Sequence, residues 1–268
     1  MLIKTPILLL YSLFVLAAMP QCESSVAAVS ADTATYDLTG VNDSLLNDIQ
    51  GTIDQTFVQA ITSKSVDPLS GLSQELKQLY KDKQLPIIQY WQAYTDYYTS
   101  IFYLQQEDEK GSKSAIKNGI STLEEVRPKN SEVYALLALM QSFSIQFSSG
   151  MTAGNISSKV RKNGQKAIDL DPKNLRAYYV LGSSNFYTPE KYGGGKKVEE
   201  YMTKAVALPD QQIESPYLPS WGKNNAFELL IKHFIKKGEK DKAKQYFKQA
   251  VEIYPNDYVI NQLAKELI

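Results

Sequence analysis

Apolar residues recur at helical spacing along most of this chain. Leu46, Ile49, Ile53, Phe57 and Ala60 follow at intervals of three and four, and Leu69, Leu72, Leu76 and Leu79 repeat the pattern. Such intervals place side chains on one face of a helix of period ~3.6 residues. Asp67 followed by Pro68 marks a helix start, because proline at the first position lacks an N–H that would have no partner there. No stretch alternates apolar and polar positions long enough to predict a strand. The pattern predicts an all-α protein.

From Trp91 onward the helical stripes come in pairs. The clearest pair joins Phe227, Leu230, Ile231 and Phe234 to Ala243, Phe247, Ala250 and Pro255. The pair before it has Tyr178, Leu181 and Gly182, then Val198, Met202, Ala205 and Pro209, with a longer connection through Thr188 to Gly195. An earlier pair has Tyr134, Leu137 and Ala138, then Val160, Gly164, Ala167 and Pro172. The first has Trp91, Tyr94, Thr95 and Tyr98, then Ile116, Ile120, Leu123 and Pro128. In three pairs the interval from the second stripe to proline is the same: Ile116 to Pro128, Val160 to Pro172 and Ala243 to Pro255. Proline there ends a helix and turns the chain into the next pair.

The pattern Phe227-x2-Leu230-Ile231-x2-Phe234, Ala243-x3-Phe247-x2-Ala250, Pro255 resembles the tetratricopeptide (TPR) repeat, with Ile231 where that repeat carries glycine. The resemblance implies helical hairpins that bury their apolar faces only by stacking into a solenoid with a concave groove. About four degenerate repeats fill residues 86–268, and a C-terminal capping helix runs through Val259, Leu263 and Leu267. Residues 42–85 form N-terminal capping helices. A second resemblance follows the order Asp171-Pro172-Lys173-Asn174-Leu175-Arg176-Ala177-Tyr178-Tyr179, Tyr187-Thr188-Pro189, Tyr192-Gly193-Gly194-Gly195, Pro219-Ser220-Trp221-Gly222. It is similar to a group of secreted bacterial TPR proteins. Leu175 replaces the usual proline and Tyr192 the usual phenylalanine. This likeness implies fold and export and leaves function open.

The first residues agree with export. Lys4 precedes an apolar run from Ile7 to Ala18, too short to span a bilayer comfortably and followed by small and polar residues. Residues 1–28 are expected to be a cleaved signal peptide and 29–41 a flexible leader, which places the protein in the periplasm or at the cell surface. Cys22 is the sole cysteine, so no intrachain disulfide can form. Gln21 before it departs from lipoprotein signals. Membrane attachment would require lipidation of Cys22 or a retained signal.

Composition narrows the chemistry. Lys+Arg and Asp+Glu are both 29, so no net field recruits nucleic acid. His233 is the only histidine, which excludes a multi-histidine metal site and gives a catalytic triad one candidate. No catalytic residue, metal or cofactor is expected, and an all-α hydrolase is the weakest reading. Gly193-Gly194-Gly195-Lys196-Lys197 lacks the Ser or Thr and the preceding strand of a phosphate-binding loop, and is expected to be a turn needing positive φ angles.

The TPR resemblance implies that one stripe of each first helix lines the concave surface. Those stripes are Gln92, Asp96 and Thr99; Ala135, Leu139 and Ser142; Tyr179, Ser183 and Phe186; Glu228, Lys232 and Ile235, with Arg176 and Tyr187 at the ends of the third. Tyr179, Phe186 and Leu139 could equally pack against loops, and the sequence leaves both open. Trp221, in the stiff loop from Pro216 to Gly222, is expected to fill a gap between the last two repeats. The expected work is binding a peptide segment or partner protein. The alternative is a small apolar ligand, since Gly194-Gly195 and Met202 to Val206 are similar to exported TPR components of solute transporters.

Overall fold

The computed structural model describes residues 36, 43–209 and 215–267; the signal segment, Cys22 and nearly all of the leader lie outside the described residues. Helices α1 (Ile49–Ser63) and α2 (Asp67–Lys83) form a first hairpin. Four more follow: α3 (Pro86–Gln105) with α4 (Glu109–Glu125), α5 (Ser131–Ser144) with α6 (Gly150–Leu170), α7 (Leu175–Tyr187) with α8 (Val198–Ala207), and α9 (Lys223–Lys237) with α10 (Lys240–Ile253). Helix α11 (Tyr258–Gln262) and a 3-10 turn (Leu263–Glu266) close the chain. No strand occurs among the described residues.

Each junction between hairpins has a local cause. Pro128, Pro172 and Pro255 each stand two residues before a side chain that caps the next helix. Asn130 Oδ1 accepts from the Val133 N–H at 3.0 Å, Asn174 Oδ1 from the Arg176 N–H at 3.0 Å, and Asp257 Oδ1 from the Ile260 N–H at 3.0 Å. Proline stops one helix, and two residues later a polar side chain satisfies an orphan N–H of the next. The junctions from α2 to α3 and from α8 to α9 lack this device: α3 starts at Pro86 after Leu85, with no side-chain cap. Helix α9 starts after Gly222, at φ 103, with no side-chain cap. There the chain makes a long excursion.

Within a hairpin the helices meet closely. At Gly182 on α7 an added Cβ would lie 2.9 Å from Met202 Cε and 3.1 Å from Tyr201 Cβ on α8. Successive first helices α3, α5, α7 and α9 pack on one another, and each second helix packs on the first helix that follows it. The first helices are therefore the crowded, inner row, and the stack curves around them. Two large core clusters result. One spans α1 to α7 around Trp91, Tyr90 and Leu136, the other spans α8 to α11 around Phe227, Leu230 and Phe234, and Tyr179 packs against both.

Asn174 joins two repeats. Its carboxamide Nδ2 donates to Ser131 Oγ at 2.8 Å, and that hydroxyl donates to the Ala167 carbonyl at the end of α6 at 2.8 Å. Asn174→Ala removes a cap and an inter-repeat bond together. It should lower the unfolding free energy by about 2 kcal/mol. Urea titration should show a lower midpoint with an unchanged slope.

Candidate binding surface on the concave face

The excursion before α9 crosses the inner face. Between Ser215 and Gly222 the chain reaches back to the first helices of the molecule. Trp91 Nε1 donates to the Tyr217 carbonyl at 3.0 Å, the Ser220 N–H donates to Gln50 Oε1 at 2.8 Å, and Trp221 Nε1 donates to Tyr90 Oη at 2.7 Å. The Trp221 ring stacks on Tyr94 at 6.0 Å and 20° and meets Tyr179 edge-on at 6.2 Å. Trp221 is thus a plug as expected, but it fills the inner face between the first and third repeats rather than a gap between the last two. Tyr36 packs edge-on against Tyr90 at 6.0 Å from the other side.

Beneath the plug lies a buried ion pair. Arg176 Nε and Nη2 donate to the two oxygens of Glu132 at 2.6 and 2.7 Å, and Nη1 reaches the Trp221 carbonyl at 3.4 Å. The guanidinium lies 5.8 Å from the Trp221 ring centroid. Arg176 is 0 % exposed, so it does not line an open groove as its sequence position suggested. The physical reason is the loop laid over it. Leu139 is likewise 8 % exposed and belongs to the core.

The other half of the inner row is only partly covered. Tyr179, Ser183 and Phe186 share one face of α7 and are half-buried, and Tyr187 beside them is 70 % exposed. Phe186 and Tyr187 meet edge-on at 5.1 Å. From α3, Tyr97 packs edge-on against Phe143 of α5 at 5.4 Å, and Phe143 continues to Phe147 at 6.0 Å. Burial, with Tyr187 nearby, pushes the Tyr97 hydroxyl up to about 12. Burial, then Tyr97, Tyr187 and Glu228, pushes Tyr179 still higher. Both hydroxyls therefore stay protonated and present neutral donors. Lys232 is bonded to Glu228 on α9 at 2.5 Å. Burial works against its charge, but the bond to Glu228 outweighs burial and holds its pKa above the ordinary lysine value.

Gln92 and Asp96 lie elsewhere. On α3 they sit roughly 100–160° around the axis from Tyr90, Tyr94 and Tyr97, which carry the inner face. Asp96 packs over Gly119 of α4, where an added Cβ would come 3.0 Å from its own Cβ. Burial raises its pKa to about 7, only partly opposed by Lys77. The stripe of α3 that turns to the inner face is that of Tyr90, Tyr94 and Tyr97, not that of Gln92 and Asp96, and Phe143 and Phe147 continue it. The spacing of Tyr90, Tyr94 and Tyr97 was itself a helical stripe, but α3 carries aromatics on two faces at once.

Other candidate chemistry resolves into structure. Gly193 and Gly195 take φ 88 and 82, as a turn of this sequence was expected to need. The N–H groups of Gly193, Gly194 and Gly195 donate to the Glu190, Pro189 and Asn185 carbonyls, and that of Lys197 to Asn185 Oδ1, so the turn uses its own donors. His233 is buried on α9 against Phe234, and burial together with Lys237 holds its pKa below the ordinary value. Among the described residues no His, Cys, Asp and Glu group could hold a metal, and no helix is long and apolar enough to cross a membrane.

No protein-family model matches the sequence, and no curated protein matches it. Solved structures do resemble it. TTC0263, a thermophilic TPR protein of Thermus thermophilus, superposes with a TM-score of 0.53 at 14 % identity, over 80 % of this chain and 98 % of that one. The HusA haemophore of Porphyromonas gingivalis gives 0.49 at 19 % identity, over 69 % and 92 %. YrrB, described as a TPR protein with an unusual peptide-binding site, gives 0.36 at 14 % identity, over 78 % and 97 %. At these identities a likeness speaks to fold alone, and the first is close enough to do so. The fold is an all-α solenoid of helical hairpins. It is a TPR-like solenoid.

Two outcomes test this geometry. Arg176→Leu strands the buried Glu132 carboxylate and should cost about 3–5 kcal/mol, whereas adding Glu132→Leu to it should restore much of the loss. A thermal or urea comparison of single and double variants reads this directly. Asp96 has a folded pKa above its unfolded value, so the folded state prefers the protonated form. Its contribution is most favourable below pH ~4 and is lost as pH rises through about 7. Asp96→Asn should therefore stabilise the protein more at pH 8 than at pH 5, by about 1–3 kcal/mol at the higher pH. An equal effect at both values would contradict the burial of this carboxylate.

Proposed function

We propose that this protein is an exported, non-catalytic scaffold that holds an extended segment of a partner protein on the partly covered half of its concave face. The observation that carries the reading is the aromatic surface beside the Trp221 plug, half-buried except at the exposed Tyr187. Tyr97, Phe143, Tyr179, Phe186 and Tyr187 converge there from three successive first helices, with Glu228 and Lys232 at the edge. Aromatic side chains bury large areas, and tyrosine adds a hydroxyl that can bond a peptide backbone. Several contacts from successive repeats suit an extended chain. Export rests on the signal-like first 28 residues, and the mature chain would begin near residue 29 and work in the periplasm or at the cell surface.

Tyr187 is exposed, so Tyr187→Ala should leave the melting temperature within about 2 °C while weakening partner capture about tenfold or more, as at an interface anchor. Ser183→Arg, a bulky charge set into the same face, should do likewise. The mature chain would be incubated with the exported protein fraction of its own host, and captured partners compared across the three forms. Capture that survives both substitutions would move the interface off this face. A small apolar mass that co-purifies in native mass spectrometry and leaves on denaturation would replace the reading with that of a ligand carrier.

A further inference from the structure

On the outer side, where α4 ends against α5 and α6, a cavity of about 470 Å³ opens. It is separate from the concave face. Its lining carries Arg127, Lys129, Lys159 and Lys162, against the single carboxylate of Glu124. Arg127 and Lys129 are engaged at the last carbonyls of α4. Arg127 Nη1 donates to the Glu124 and Val126 carbonyls at 2.6 Å each, and Lys129 Nζ to the same two at 2.7 and 3.0 Å. They offset the partial negative charge of that helix end. Lys159 and Lys162 have no such duty. They stand three residues apart on α6, on one face of the helix, and no carboxylate pairs with either among the described residues. Among the described residues the cavity thus holds more positive charge than its one carboxylate offsets. Burial and the neighbouring Arg127 hold the Lys129 pKa below the ordinary lysine value, in keeping with that excess.

A second observation points to a ligand. Gln141 is 5 % exposed, and its Oε1 accepts from Asn163 Nδ2 at 2.9 Å, which fixes the orientation of the carboxamide. Its Nε2 donates to no atom of the described chain, although the side chain lines the cavity. The Nε2 atom is reached by solvent from the cavity, so it is open to a ligand there. Here a fixed donor sits in the floor of a cavity rimmed by unpaired lysines. Tyr134 adds an aromatic wall. The volume is larger than an inorganic oxyanion needs and falls in the ~300–1,000 Å³ range of small-molecule sites.

We propose that this outer cavity binds a small soluble organic phosphate, its phosphoryl oxygens taken by Lys159, Lys162 and Gln141 Nε2 and its body laid against Tyr134. Lysine supplies point charges for phosphate, and a neutral amide donor completes the set.

The test uses the mature chain, 15N-labelled, titrated separately with inorganic phosphate and with adenosine monophosphate at constant ionic strength. The expected result is a saturable shift of the Gln141 side-chain amide, with the nucleotide the tighter of the two. Lys159 and Lys162 are exposed, so the double variant K159A/K162A should fold normally and weaken the nucleotide about tenfold or more. Gln141→Met keeps the size of the side chain, removes the donor, and should weaken binding without abolishing it. Shifts no larger than sodium chloride produces, or equal affinity in K159A/K162A, would overturn the proposal. Co-sedimentation with phosphatidylglycerol vesicles is the remaining arm. Lysine-dependent binding to vesicles without binding to either soluble phosphate would assign the site to a lipid headgroup and overturn the soluble ligand.

Discussion

Burying the Arg176 guanidinium removes a full positive charge from water, and the fold can carry that cost because Glu132 meets it with both carboxylate oxygens. The two residues stand in the first turns of α7 and α5, so the pair sets how one repeat docks on the next. The Trp221 loop is laid over this pair and depends on it. Its carbonyl takes the remaining guanidinium nitrogen, and its ring lies beside the same cation. An unpaired guanidinium at this point would demand water, and the loop could not then cover it. The pairing therefore decides how much of the inner face is closed and how much is left for a partner.

The architecture is otherwise built by repetition of a short local device. Proline followed after two residues by asparagine or aspartate stops one helix and starts another, at three junctions. Two junctions lack it: α3 begins directly at Pro86, and the stretch between α8 and α9 is the excursion that crosses the inner face. A gap in the repeat and the plug of the groove are thus the same segment. That segment contributes the feature that most separates this protein from a plain stack of hairpins.

Much of the fold was legible because it is local. Stripe spacing, helix-stopping prolines and capping residues act within a few positions, and each hairpin appears where Trp91, Tyr134, Tyr178 and Phe227 lead it. The candidate site was less legible because it depends on contacts far apart in sequence. Tyr179, Ser183, Phe186 and Tyr187 do lie together on α7, whose polar-aromatic stripe runs beside a clear packing stripe. Arg176 was placed in the open because nothing near it in sequence announces a loop that returns 45 residues later, as its separation from Trp221 shows, and Leu139, left open between groove and packing, lies in the core. Gln92 and Asp96 were placed there because a helix aromatic on two faces does not say which face turns inward.

Solenoids ordinarily behave as one-dimensional arrays, in which each unit feels only its neighbours and the ends can fray without consulting the middle. The Trp221 loop breaks that rule. By bonding to Gln50, Tyr90 and Trp91 it ties the far end of the stack to the start, a long-range clasp across an otherwise local topology. Helices α1 to α3 cannot peel away unless the clasp first opens near α9. Partial unfolding from the N-terminal end, the cheapest route for a simple repeat array, is thereby coupled to loosening of the third and fourth hairpins, and the chain gains the cooperativity of a closed globule.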